Sequence, residues 1–230
     1  MNLFTKTIFP REIFDGIEKK DGNIALLFFA FLLVSDFILL YLIKISPLFL
    51  LLKTDTRYYL LCSMIIDAPG FLGIILILKF RKQSMDTVGL RKIGLKSSIV
   101  VGGLLFLAAL VHFFKNDMIN QQFIYRILFY MIFVGFYEEL IFRGFIWTRL
   151  AVDLGKWKGT IISGLFFGIM HIPLDIVFKN RTFLETGILG NVSNTNIIGG
   201  IIVALVLIYI YTRNKNILLP SFIHGILDMI

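Results

Sequence analysis

Apolar runs of about 18 residues or more recur along this 230-residue chain, and nothing constrains its fold more: each can cross a hydrocarbon layer of about 30 Å as a helix. Composition agrees. Residues are 57% hydrophobic and mean hydropathy is +0.85, whereas a soluble domain is about 45–50% apolar. The expected fold class is all-α, a polytopic transmembrane helical bundle of about seven (seven to eight) helices. The runs fall near 24–43, 58–80, 97–114, 123–150, 159–178, 194–212 and 217–230. The last is short: at 1.5 Å per residue it reaches only about 21 Å, so it is half-inserted or supported by its neighbours. No small-residue cleavage pattern follows the first run, which therefore reads as an anchor and not a removed signal peptide.

The net charge of +8 speaks to topology and not to nucleic acid, because the basic residues fall between apolar runs. With the N-terminus cytoplasmic, fifteen basic residues lie in inner segments and six in outer ones, Arg126 and Arg143 being within spans. The positive-inside rule thus favours a cytoplasmic N-terminus. The basic stretch Arg81 to Lys96 reads as the longest cytoplasmic loop, and Phe4 to Lys20 as a short interfacial helix. No repeat or linker divides the chain, so 1–230 reads as a single transmembrane domain. The lone cysteine, Cys62, sits in an apolar run as a small hydrophobe and suggests no redox role.

Ionisable residues at membrane depth cost a few kcal/mol or more and mark functional sites by default. The fourth run carries Glu138-Glu139-x-x-x-Arg143, the fifth carries Phe167-x-x-x-His171 followed by Pro173 and Asp175, and the last carries His224-x-x-x-Asp228. Adjacent helical residues point about 100° apart, so the two glutamates have different roles. Glu139 and Arg143, four apart, pair on one face and neutralise each other. Glu138, with no local cation, is then the chemically free acid. Asp175 either orients the His171 ring or merely satisfies it. At 1.5 Å per residue, Glu138, His171 and His224 lie about 18, 18 and 11 Å from the cytoplasmic ends of their helices, which predicts convergence in one cavity opening toward the cytoplasm.

A buried carboxylate beside an imidazole can hold and deprotonate water, and a second His/Asp pair can stabilise an oxyanion. A His/Glu set can equally bind zinc, although no H-E-x-x-H helix is present. Two other readings remain at this point: a non-enzymatic immunity or scaffold protein whose polar network only locks helices, and an ion or proton transporter, weakened by the absence of an inverted repeat. Asp36 and Asp67 also lie within spans without an assigned partner, and Asp67-Ala68-Pro69-Gly70 marks a kink or break in the second helix.

The three motifs, in this order on successive helices, resemble those of the CAAX-protease and bacteriocin-processing (Abi) family of intramembrane endopeptidases; the motif region is 123–228, and Thr87-Val88-Gly89-Leu90-Arg91 resembles a loop often found ahead of it. The resemblance implies proteolysis with Glu138 and His171 activating water and His224 with Asp228 forming the oxyanion site. Glu139, Arg143 and Phe167 are implied as support. It favours a glutamate-type enzyme with no required cofactor, zinc being the metalloprotease alternative. It implies a peptide or protein substrate at the lipid bilayer, prenylated or unmodified, in peptide maturation or bacteriocin self-immunity, at the plasma membrane in a prokaryote. Two departures stand out. Prenyl-protein proteases carry Asn where this chain has Asp228, and a final helix is missing after it, so the resemblance supports proteolysis more firmly than prenyl-CAAX cleavage.

Overall fold

A computed structural model describes residues 8–52, 54–182 and 197–230. All regular structure among them is helical. The elements are α1 (Asp21–Ile45), a short α2 (Leu48–Leu52), α3 (Arg57–Arg81), α4 (Leu95–Lys115), α5 (residues 123–153), α6 (Lys156–Lys179), α7 (Ile197–Asn214) and α8 (Leu218–Met229). Four of these, α1, α3, α4 and α6, are long and apolar enough by themselves to span a bilayer. The chain is an integral membrane protein, and its outward face shows why: Leu27 is 72% and Phe80 82% exposed, with Leu104, Phe114 and Ile198 similarly bare. Water would penalise that surface and lipid does not. Charged groups are also enclosed within the mostly apolar interior, with Glu139, Arg143, Arg149 and Asp175 all fully buried.

Helix positions follow the apolar runs, and residues 194–196 of the sixth run lie outside the described residues. Three local expectations are corrected. Of the interfacial helix expected over Phe4–Lys20, Phe4–Thr7 fall outside the described residues and Ile8 is helical, but residues 9–20 are not one helix: a 3₁₀ turn, Arg11–Ile13, accompanies burial of Phe9 and Ile13 in a cluster with Trp147, Ile208, Tyr211 and Ile217. Of the kink or break expected at Asp67–Gly70, a break does not occur, because α3 runs through Pro69. Arg91 and Arg149, counted above as flanking charges, are buried: Arg91 donates to the Ile13 carbonyl at 2.7 Å and Arg149 to Gln83 Oε1 at 2.7 Å.

The helix α5 is α-wound at its ends but π-wound over Phe129–Glu138 and Leu140–Trp147, a winding that tends to accompany functional sites. The short α8 packs against α5 and α4 and is supported by them. The α5–α8 crossing is close enough to require glycine: a Cβ on Gly135 would meet the Gly225 nitrogen at 2.9 Å, and one on Gly225 the Tyr130 carbonyl oxygen at 2.6 Å. Such small-residue contacts let membrane helices approach where no hydrophobic effect drives them together. Substituting Gly225→Val is expected to destabilise the purified protein by about 1–3 kcal/mol, the usual range for overpacking, read as a lower melting temperature in detergent.

Candidate active site

The site is assembled where α5, α6 and α8 meet. Near its middle, α5 presents Glu138 and Glu139 in different directions. Glu139 is fully buried and its Oε1 is shared: Arg143 Nη1 lies 3.0 Å away and His224 Nδ1 2.8 Å away. A carboxylate oxygen only accepts, so His224 carries a proton on Nδ1 and donates it to Glu139. The other ring nitrogen, Nε2, faces Asp228 Oδ2 at 3.5 Å and Glu138 Oε2 at 3.9 Å. Glu138 is 23% exposed at its side chain and Asp228 40%.

Phe167 stands at the centre of this cluster. The Arg143 guanidinium lies over its ring, 4.2 Å from the centroid, a cation–π contact worth about 2 kcal/mol when desolvated. The His171 and His224 rings meet its edge at 5.0 and 5.8 Å. Its backbone carbonyl also accepts from His171 Nδ1 at 2.9 Å, so the neutral His171 ring has its lone pair on Nε2. His171 sits where α6 is interrupted between Met170 and Ile172, with Pro173 opening the next helical segment. Asp175 does not orient His171. It pairs with Lys179 at 2.6 Å and Arg181 at 3.5 Å, because the helix turns its carboxylate toward those cations and away from the ring.

Glu138 and His171 line one cavity of about 260 Å³. Its wall is mostly apolar, from Leu32, Leu40, Phe133, Phe142, Leu174 and their neighbours, but Asp36, Asp67 and Tyr137 also reach it. Their presence was signalled only by two aspartates lying within apolar runs. Gly70 makes room for Tyr137, since a Cβ there would strike the Tyr137 hydroxyl and come within 2.8 Å of Ile141 Cδ1. The link from Glu139 to His224 was not foreseen; the two residues are 85 apart, and no local spacing reports such a contact. The cavity also extends the other way from that expected. Its wall residues run from the middle of each helix toward the Ile45, Arg57, Phe123 and Lys179 ends, away from the face that carries residues 8–20. Offsets along a helix give depth but not the side on which neighbours leave a gap. Among the described residues no group of three or more His, Cys, Asp or Glu side chains is arranged to hold a metal ion.

These features define a polytopic helical membrane protein with an acid–histidine cluster at mid-depth beside a cavity. Residues 119–230, which carry all three motifs, match the family model described as type II CAAX prenyl endopeptidase Rce1-like. Over that region, nearly half of the chain, the sequence is similar to the CAAX-protease family, and the likeness supports a peptidase acting on peptide or protein substrates at a membrane. No curated protein and no solved structure gives a significant match.

Removing Glu139 leaves Arg143 as a buried, unpaired cation. Glu139→Ala is expected to cost about 3–5 kcal/mol, the range for breaking a buried ion pair, measured by thermal unfolding in detergent. Adding Arg143→Met to it is expected to recover much of that stability.

Proposed function

We propose that the chain is a glutamate-type intramembrane endopeptidase in which Glu138 and His171 activate a water molecule. The observation that carries this reading is the placement of both side chains on the wall of one cavity, with His171 Nδ1 tied to the Phe167 carbonyl so that Nε2 is free. Water held between Glu138 and His171 Nε2 gives a proton to the Glu138 carboxylate, and its oxygen attacks the peptide carbonyl carbon. The carbonyl π pair moves onto oxygen. His224, protonated on Nε2 in this step, donates to that oxyanion, a preorganised contact of the kind that dominates many such reactions. Collapse of the intermediate breaks the C–N bond, and the proton held by Glu138 passes to the leaving amine. Glu139 is a positioning residue, since it fixes the ring of His224 and neutralises Arg143.

Asp228 acts through His224 in this scheme. An ionised carboxylate would repel the oxyanion, so Asp228 does not contact it; its Oδ2 lies 3.5 Å from Nε2, close enough to orient the ring. Asn can orient the ring in the same way through its amide oxygen. The expected consequence is that Asp228→Asn retains cleavage while Asp228→Leu loses it, checked by turnover of one reporter peptide at equal protein.

The decisive experiment is cleavage by purified protein reconstituted in lipid. Glu138→Gln and His171→Ala are each expected to lower turnover by about 10² or more, the usual contribution of a general base, with melting temperatures near wild type. Unchanged turnover in both would sink the proposal. A parallel screen of isoprenylated and plain peptides names the substrate. Peptide maturation and bacteriocin self-immunity are the settings the family resemblance suggests, with the protein in the plasma membrane if the source is prokaryotic.

A further inference from the structure

The two ends of the bundle are built differently. At the end carrying residues 8–20, polar groups tie the elements together. Asp21 accepts from Arg81 Nε at 2.7 Å and from Gln83 Nε2 at 2.8 Å, and Gln83 in turn accepts from Arg149. The Ile217 N–H donates to the Gly89 carbonyl at 2.9 Å, and Asn214 donates to Ser98 Oγ at 2.5 Å. Between this lattice and the glutamates, Phe145, Ile146, Trp147 and Leu150 are completely buried, so the bundle is solid from Arg143 down to that face.

Above Glu138 the reverse holds. The cavity occupies the space between α1, α3, α5 and α6 up to Tyr59, which is 47% exposed on its rim near the start of α3. Polar links across this end include Lys44 to Asn180 at 2.7 Å, Arg126 to the Met229 carbonyl at 2.7 Å, and Thr56 to Gln122, and an apolar cluster of Ile43, Leu52, Cys62 and Phe178 packs beside the cavity without closing it. The sealed end is also the basic end, carrying Arg11, Lys19, Lys20, Lys82, Lys92 and Lys96 among others. The positive-inside rule assigns that end to the cytoplasm.

Taken together, these features lead us to infer that the catalytic cavity is entered from the non-cytoplasmic side, so that the substrate is a peptide segment already delivered across the membrane. This rests on the peptidase reading for the word substrate, but access itself can be measured without cleavage. The single native cysteine, Cys62, is on the cavity wall and buried; Cys62→Ser supplies a cysteine-free background. Into it are placed Ser63→Cys on the cavity wall, Tyr59→Cys on the rim and Lys92→Cys on the sealed face. A charged, membrane-impermeant thiol reagent is then applied to right-side-out and to inverted membrane vesicles.

The expected result is labelling of Tyr59→Cys and Ser63→Cys in right-side-out vesicles only, and of Lys92→Cys in inverted vesicles only. Labelling of Ser63→Cys and Lys92→Cys from the same side overturns the inference, because the cavity would then open at the sealed face. Labelling on opposite sides but with the two preparations exchanged also overturns it, since the cavity would face the cytoplasm in a reversed topology. Labelling of Tyr59→Cys with Ser63→Cys silent from both sides overturns it as well, as the rim would lead to no water-accessible interior. None of these outcomes depends on turnover, so failure of the peptidase reading shows itself separately in Glu138→Gln and His171→Ala.

Discussion

A single carboxylate oxygen holds the centre of this protein together. Arg143 is fully buried at mid-helix and cannot extend its head group to the membrane surface, so its charge must be met where it stands. Glu139 Oε1 meets it from one turn away and takes a proton from His224 Nδ1 across the interface with α8. Phe167, reaching in from α6, covers the guanidinium face. Three helices are thereby referenced to one atom. Because Glu138 is the residue before Glu139, fixing the direction of one fixes the other: with Glu139 turned toward α8 and Arg143, Glu138 is turned toward the cavity. The two close-packed glycines of the α5–α8 crossing serve the same end, since a longer side chain at Gly135 or Gly225 would push His224 out of reach.

The spans were legible in the sequence because the bilayer imposes a length and a hydropathy that each helix must satisfy locally. The Glu139–Arg143 pair was legible for a similar reason, being a four-residue spacing within one helix. What could not be read was contact between helices. His224 meets Glu139 across 85 residues, and its four-residue neighbour Asp228 was the only partner that spacing offered. Asp175 shows the same limit in reverse: the spacing to His171 was right, yet Lys179 lies at the same interval on the other side and carries the opposite charge. The π winding of α5 left no sign in the apolar pattern, which is continuous through it. The direction of the cavity was hidden as well, because it depends on which ends of four helices pack and which diverge.

That packing asymmetry has a simple origin in the side chains available at each end. Residues 8–20 bring Phe9 and Ile13 under Trp147 and Tyr211, while Asp21, Gln83 and Arg149 satisfy one another above them. Apolar filling and hydrogen bonds occur in the same layer, and the residues that line the cavity do not reach into it. At the opposite end, among the described residues, the short α2 joins α1 to α3 and packs Leu52 with Ile43, Cys62 and Phe178, and apolar side chains of α1, α3, α5 and α6 line the cavity beside that cluster.

The carboxylates on the wall of that gap bear on what it contains. Among the described residues Asp36 and Asp67 have neither an ion-pair nor a hydrogen-bond partner, and one oxygen of Glu138 is buried without a hydrogen bond. A polar group moved into a dry apolar medium without a compensating bond costs about 2–7 kcal/mol, and an ionised one far more. Against the stability of an ordinary domain, about 5–15 kcal/mol, even the one buried Glu138 oxygen would be costly in a dry cavity of about 260 Å³, and Asp36 and Asp67 line the same wall. Water in the cavity removes most of that cost by supplying the missing partners. In the proposed mechanism, the acids that favour water in this cavity are the same groups that would bring the hydrolytic reagent to Glu138 and His171.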